Sequence, residues 1–385
     1  MISKIFKTYV AYLPASRMGK ISVFTLSIWV FIAMFSPFLA NDKPILAKNH
    51  NGWFMPIFSK AEITKDTKFS FKINPLIPYR FDNLDLKKIN QPPFTIGKNG
   101  MHILGTDLLG RDITAGMVNG ARVAFIIATS SILLSVVFGI FIGLIIGFYG
   151  DNGIKRNLLQ QLLFLGLFIF FIYYFSHLLG DGFSFYTIVP FITIGILGFV
   201  INKALSFLPL KKYGLPIDMF VQRIFEINES VPGLFIILAF VAVVVKTSLF
   251  TISMILTFLM WMTFALHARS EARQIREEDY IQSAKASGLG DFNILIRHIL
   301  PNALPSLLVV VAFSFSGVIL VEATLSFLGI GLPLEEISWG KILAEARRSP
   351  KSWWLAVFPG LAIFLVLFSF NTLGDILANY QRKES

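Results

Sequence analysis

Glu322 places a carboxyl group within, or at the outer edge of, the apolar run Val311 to Leu328 (VAFSFSGVILVEATLSFL). An ionisable side chain in hydrocarbon is costly, so such a residue is a functional candidate by default, as a proton relay or an ion site. A relay needs further ionisable groups at the same depth, and Glu322 stands alone in its run. The favoured reading therefore sets it at the mouth of the run, in water or hydrogen-bonded to a neighbouring helix, with an intramembrane site as the sharper alternative. His298 suggests a base or a metal ligand, but no second His, Asp or Glu accompanies it at ligand spacing, so it reads as a packing and hydrogen-bonding residue. His50, His102, His177 and His267 are scattered. With 0 Cys, disulfides, Cys-ligated zinc or iron–sulfur sites and thiol catalysis are excluded. A nucleotide loop needs G-x-x-x-x-G-K-[ST], because Lys and backbone amides must cradle phosphates. Gly340-Lys341 is followed by Ile342 and has no Gly five residues upstream, and neither Gly-x-Ser-x-Gly nor His-Glu-x-x-His occurs. The residues imply no catalytic centre, cofactor or metal site in this chain.

Polar chemistry concentrates instead in one island, Tyr280 to Asn302, reading YIQSAKASGLGDFNILIRHILPN between apolar segments. Arg269, Arg273 and Arg276 lead into it at helical spacing. Glu277, Glu278 and Asp279 then sit where negative charge complements the start of a helix. Ile281, Ala284 and Gly288 fall near one face. The island is hinged at Gly288-Leu289-Gly290, after which Phe292, Leu295, Ile296 and Ile299 make a second apolar face, and Pro301 is expected to stop it. Ser283, Ala284, Ala286 and Ser287 are small enough to let a partner surface come close. Two readings fit these residues equally: a helix–turn–helix gripped by a separate protein outside the bilayer, or an interfacial hairpin that merely closes a loop.

The elements around the island are those of a polytopic α-helical membrane protein. Only 15% of residues are charged, against ~25% in a soluble domain. The chain is 55% apolar with 40 Phe, in blocks of about 20 residues, the length that spans a bilayer as helix. The net charge of +11 follows from Lys and Arg collecting in cytoplasmic loops. No basic stretch is compact and interleaved with aromatics, which argues against nucleic acid as a partner.

In order, residues 1–20 are a cytoplasmic N-terminus with Lys4, Lys7, Arg17 and Lys20, and 21–39 an uncleaved first transmembrane helix. Residues 40–122 form an outer loop broken by Pro44, Pro56, Pro75, Pro78, Pro92 and Pro93, with a short strand over Lys68 to Ile73. Thr106 or Asp107 is expected to cap a short interfacial helix there. Residues 123–378 form the transmembrane domain. Its first span, 123–148, carries Gly139, Gly143 and Gly147, a ladder for close helix packing. An inserted hairpin, 158–207, turns at Gly180-Asp181-Gly182 and is flanked by Lys155-Arg156 and Lys211-Lys212. Pro232 kinks the run 219–245. After a tight turn at Lys246 to Thr251 come a span at 252–268, the loop 269–303, a span at 304–328, an outer loop at 329–355, a last span at 356–378 and a basic cytoplasmic tail, 379–385. If only one of the inserted runs spanned, Arg269, Arg273, Arg276, Lys285 and Arg297 would face outward, against the positive-inside rule. Both span, or neither does.

Tyr280–Asn302 resembles the EAA loop of ABC importer permeases of the oligopeptide/dipeptide class, roughly YVEAARALGAS…I..RHILPN, through Tyr280, Ala284, Lys285, Ala286, Gly288, Asp291, Ile294 and Arg297 to Asn302. Gln282 replaces the usual Glu and Ser283 the first Ala. Leu104-Gly105-Thr106-Asp107 with Gly110-Arg111-Asp112 and Gly120-Ala121-Arg122 resembles the LGTDxxGRD…GxR segment of the second permease of such systems. Val321 to Gly331 resembles its EASLSFLGLG stretch, and Gly374-Asp375 its LGD. Ala40 to Pro44 with Gly52-Trp53 and Pro56 is similar to the subgroup close to microcin C-type peptide permeases. The resemblance covers residues 36–60 and 100–378 except the hairpin near 155–212, which the family lacks.

The resemblance implies an all-α polytopic membrane protein of the type I ABC importer permease fold. With the inserted hairpin read from the apolar runs, about eight transmembrane helices are expected, together with a cytoplasmic coupling helix and a long outer loop after the first helix. It implies a permease subunit of an ATP-driven importer, for peptides, in the cell inner membrane with both termini cytoplasmic. ATP and Mg would be held by partner subunits and none by this chain. The implied partners are a homologous second permease, two cytoplasmic ATPases, an outer substrate-binding protein and membrane lipid. Carried over residue by residue, the ATPase-coupling set is Tyr280, Gln282, Ser283, Ala284, Lys285, Gly288, Asp291, Arg297, His298 and Pro301, and the outer-face motif is Gly105, Thr106, Asp107, Gly110, Arg111 and Asp112. The rival class is an ion-coupled secondary transporter, which needs inverted repeats and mid-bilayer ionisable groups. No internal repeat is found, and Glu322 is the one candidate group.

Overall fold

A backbone in hydrocarbon must satisfy its own N–H and C=O groups, so apolar blocks of this length fold as helices. The computed structural model describes residues 16–49, 52–58, 70–151, 155–181, 185–207, 211–214, 216–243, 247–333 and 335–384. Its helices are α1 (Arg17–Leu39), α2 (Ile113–Tyr149), α3 (Leu158–Asp181), α4 (Phe185–Ser206), α5 (Ile217–Ser230), α6 (Gly233–Val243), α7 (Leu249–Arg276), α8 (Asp279–Ala286), α9 (Asp291–Ile294), α10 (Leu300–Phe327), α11 (Trp339–Ala346) and α12 (Trp354–Glu384). A π-helical segment, Leu295–Ile299, joins α9 to α10. Lys4, Lys7, Lys68, Gly182 and Lys246, on which several expectations rest, lie outside the described residues.

Among the described residues five helical runs are long and apolar enough to cross a membrane: α1, α2, α7, the continuous α9–α10 run and α12. A sixth is counted if α5 and α6, bent by 87° at their junction, form one span. Pro232 stands in that break, where a missing N–H and a fixed φ oppose continuation. The stretches Leu158–Phe171 and Thr193–Ser206 are apolar but shorter. The chain is thus a mostly helical membrane protein.

Lipid tails are as apolar as Leu, so spans are held by close packing and polar contacts more than by hydrophobic burial. The α2–α7 pair shows both. Gly139, Gly143 and Gly147 lie directly against the α7 backbone at Trp261, Ala265 and Arg269, with no room for a side chain. One turn toward the other end, the Ser131 hydroxyl donates to the Ser253 carbonyl (3.1 Å), Ser135 to the Thr257 carbonyl (3.2 Å) and Ser130 to the Ser253 hydroxyl (2.8 Å). Such bonds average about 0.6 kcal/mol each in membranes. They fix register, and the glycine contact supplies the bulk of the packing. Trp29, Ile127, Leu256, Phe264, Val318 and Ile319 fill the centre where α1, α2, α7, α10 and α12 meet.

Between α1 and α2 lies a small cap. Strand β1 (Leu46–Asn49) pairs antiparallel with β2 (Gly52–Phe54) and β3 (Phe71–Ile73), and β4 (Thr95–Ile96) pairs with β5 (Met101–His102). The expected short helix after Thr106 or Asp107 is absent. Helix α2 starts at Ile113 instead, capped by Asp112, whose carboxylate accepts from the Ala115 N–H (2.7 Å). Asp107 is consumed earlier by its own turn, so it has no free acceptor for a helix start. The expected loop 329–355 contains α11, which packs on α2, α10 and α12.

The inserted segment has a foot. Strands β6 (Lys155–Asn157) and β7 (Lys212–Gly214) pair antiparallel on either side of α3 and α4. Just above, Asn157 donates to the Leu205 carbonyl (2.7 Å) and Gln160 to the Asn202 carbonyl (3.0 Å).

Candidate functional site

The polar island closes one end of the bundle. Ile281 and Ala284 of α8 and Ile294, Leu295 and Ile299 beyond the turn are buried in one cluster with Leu144 and Phe148 of α2, Ala268, Ala272 and Ile275 of α7, and Ala303 and Leu307 of α10. The island is therefore keyed into three spans at once. Gly288, at φ +78°, makes the turn, and a left-handed residue of this kind favours glycine. A side chain there would meet nothing within 4 Å, so the space beside the turn is open.

The second apolar face divides. Leu295 and Ile299 are buried, whereas Phe292 is 67% exposed and Ile296 is 37% exposed. The π-helical spacing, in which the Leu300 N–H reaches back to the Leu295 carbonyl, turns the two sets apart. Pro301 does not stop the helix as expected. It lies in the first turn of α10, directly after the π segment, where a missing N–H is tolerated, and the helix runs on to Phe327.

Of the expected coupling residues, Tyr280, Gln282, Ser283, Gly288, Asp291 and Arg297 are exposed, Lys285 and His298 are half-buried, and Ala284 and Pro301 face inward. Several have jobs within the chain. Gln282 donates its amide to the Arg276 carbonyl at the end of α7 (2.9 Å). Lys285 lies over the Phe148 ring (4.7 Å). Asn302 donates to the Tyr280 hydroxyl (2.7 Å) and to the His298 carbonyl (2.9 Å), bringing both halves of the hairpin together. Arg269 was expected only as part of a basic row. It makes a two-pronged ion pair with Asp218, with its second N–H group at 2.8 Å, and Arg273 stands 3.6 Å from the same carboxylate. This pair ties α5 to α7, and nothing in the spacing of residues 51 apart foretold it.

At the opposite end, the Gly105–Asp112 segment forms a tight knot. Gly105 and Gly110 have φ +86° and +79°. The Thr106 hydroxyl donates to the Lys88 carbonyl (2.5 Å) and accepts from the Gln91 N–H (2.8 Å). Asp107 accepts from the N–H groups of Leu109 and Arg111 (both 2.8 Å) and from the Arg111 guanidinium (2.5 Å). Arg111 also reaches Glu345 of α11 (2.5 Å). Asp112 caps α2 and meets the buried His102 ring (2.7 Å), which stacks on Tyr79 at 4.3 Å. Glu345 has its second carboxylate oxygen buried without a hydrogen-bond partner. Burial and then Asp107, opposed by Arg111, push its carboxyl up to about 7. Burial likewise lowers the Lys341 ammonium.

Glu322 is buried in α10, and the Ser326 hydroxyl one turn on donates to it (2.7 Å). Ser338, the residue that caps α11, lies close by. Both neighbours are neutral hydroxyls at the cap end of the bundle. Among the described residues no cluster of His, Cys, Asp and Glu is arranged to hold a metal ion.

Comparison with known proteins places this geometry. Residues 204–384 match the family described as binding-protein-dependent transport system inner membrane component. A putative peptide transport system permease protein of Brucella suis biovar 1 (strain 1330) is 48% identical over 108 residues, which cover 28% of this chain and 36% of that relative. The chain therefore matches little more than a third of that relative's length. The dipeptide transport system permease protein DppC of Alkalihalophilus pseudofirmus is 28% identical over 283 residues, 72% of this chain and 71% of the relative. The inner membrane ABC transporter permease protein YejE of Escherichia coli (strain K12) is 25% identical over 371 residues, 91% and 90%. The family match takes in the island, the run through Glu322 and the last span. Residues 204–384, a little under half of the chain, carry the likeness to the inner membrane components of binding-protein-dependent transport systems.

Proposed function

We propose that this chain is the membrane-spanning permease subunit of an ATP-driven importer of peptides. It works beside a homologous second permease, two ATPases bound at the island and a substrate-binding protein at the cap. The names of similar proteins, which speak of peptide and dipeptide transport, support the cargo class. The observation that carries the reading is the two-sidedness of the α8–α9 hairpin. Its outer side is exposed, with polar residues around Phe292, and its inner side is locked into α2, α7 and α10. A hairpin built this way transmits a push on its exposed side to three spans as a rigid lever. Closure of the ATPases would favour one of two bundle arrangements by differential contact, which is a shift of populations between outward and inward access. ATP and Mg belong to the partners in this reading, and the chain itself binds no cofactor.

In the same reading the island end is cytoplasmic, the cap end faces outward and both termini lie inside. The helices α3 and α4 then add a hairpin to the six runs, giving about eight spans. Tyr280, Gln282, Ser283, Gly288, Asp291 and Arg297 are the residues that the ATPase touches, and Ala284 and Pro301 act from beneath by seating the hairpin.

Co-purification of the full chain with its ATPase tests this. Gly288→Trp places bulk into open space beside the turn, so the bundle is left intact apart from about 1 kcal/mol of backbone strain. The variant is expected to lose the ATPase and peptide import while keeping the thermal stability of the parent within that margin. Retention of the ATPase with undiminished import would remove the coupling role from this hairpin.

A further inference from the structure

At the cap end a cavity of about 460 Å³ opens between the Asp107–Arg111 turn, the end of α10 and one side of α11. Leu109, Leu328 and Ile342 give it apolar walls, while Arg111, Lys341, Arg347 and Arg348 set four cations around one carboxyl group, Glu345. The cations are unequally committed. Lys341 gives its ammonium to the carbonyls of Pro333 and Glu336. Arg347 is stacked on Phe327 (4.4 Å) and donates to its carbonyl (2.9 Å), which steadies the guanidinium at the rim with N–H groups to spare. Arg348 is exposed. Arg111 is divided between Asp107 and Glu345. The charged groups facing Glu345 are Asp107 and Arg111 from the turn, Lys341 from its own helix and Arg348 just beyond it. Among the described residues α2 and α12 bring no charge to the cavity.

This is a site with cations in excess and a weak resident anion. Glu345 bonds through one oxygen and leaves the other buried without a partner. Its carboxyl is pushed up to about 7 by burial and Asp107, so near neutral pH it takes a proton and releases Arg111 at little cost. A planar guanidinium pairs best with a carboxylate, through two parallel bonds. Apolar walls suit an anion that carries side chains over a bare ion.

We propose that this cavity binds the carboxylate end of a peptide-sized cargo, which takes Arg111 from Glu345 and is held from the rim by Arg347 and Arg348. The inference rests on the importer reading for its cargo, but its test is separable. Trialanine and trialanine amide are titrated into the purified full chain by calorimetry, and their import by the assembled transporter is measured in proteoliposomes. Trialanine is expected to bind at least about tenfold tighter than the amide, the scale of one charge-assisted hydrogen bond. The double variant R347A/R348A should erase that preference. Glu345→Gln, which no longer competes as an anion, should strengthen trialanine binding and leave the amide unchanged. Equal binding of acid and amide overturns the site, as does displacement of trialanine by inorganic phosphate as effective as that by trialanine itself. Import of the amide at the rate of the free acid also overturns the site and leaves the importer intact. A binding preference in a chain whose assembly imports neither peptide keeps the site and overturns the importer.

Discussion

Single residues set the chemistry of the cap, and Glu345 is the one whose state is poised. Its carboxyl moves from an ordinary 4.5 up to about 7 on folding, chiefly through burial, then through Asp107, with Arg111 opposing. Folding therefore favours the protonated form. The stabilisation is complete below about 4.5 and is lost as pH rises through about 7. The melting temperature of the purified chain is expected to fall across that window by an amount equivalent to about 3 kcal/mol at most, on the order set by such a shift. Glu345→Gln has no proton to lose, so its curve should lack this decline; parallel curves for parent and variant would remove Glu345 from the account. The residue was invisible to sequence reading, because its partner Arg111 stands 234 positions away. Gln282 was visible as a departure from the resembling loop, but its use was not. Its amide donates to the end of α7, a bond that an ionised Glu, having only acceptors, cannot make.

At the scale of elements, the island's glycine turn and the kink at Pro232 were legible because Gly and Pro act through local backbone geometry. The failures were at positions where local rules met a tertiary demand. Pro301 reads as a stop, yet a π segment placed just before it lets the helix continue. Thr106 and Asp107 read as caps, yet their side chains are spent on the turn they belong to, and Asp112 caps the long helix instead. Helix α11 lies in what reads as a loop, since its eight residues give too short a period to stand out. The glycine ladder supports a direct prediction. A side chain at Gly143 would collide with the Ala265 backbone, which has no rotamer to change. Gly143→Val should therefore force α2 and α7 apart and cost about 1–3 kcal/mol, the usual range for overpacking. The midpoint of unfolding in detergent measures it. Gly317→Val, with open space at its face, is the control and should cost far less.

For the whole molecule, the class was legible from composition alone, since blocks of this length and apolarity have one stable fate in lipid. The number of crossings was not, because α3 and α4 carry the same composition as a span whatever their placement. Sidedness is the measurement that settles the arrangement. With 0 Cys in the chain, a single introduced cysteine reports unambiguously. Lys211→Cys, in inverted and right-side-out vesicles, is expected to react from the island side with a membrane-impermeant maleimide. Reaction from the cap side would overturn the arrangement of about eight spans.

The β6–β7 ribbon bears on the history of this chain. Lys155 and Gly214 are paired across it, so α3 and α4 leave the bundle and return to it at one point. Residues paired across an antiparallel ladder stand about 5 Å apart, a gap that a short turn closes. The segment between them is therefore an ornament hung on an existing thread. It could be acquired or shed without reversing the direction of anything that follows.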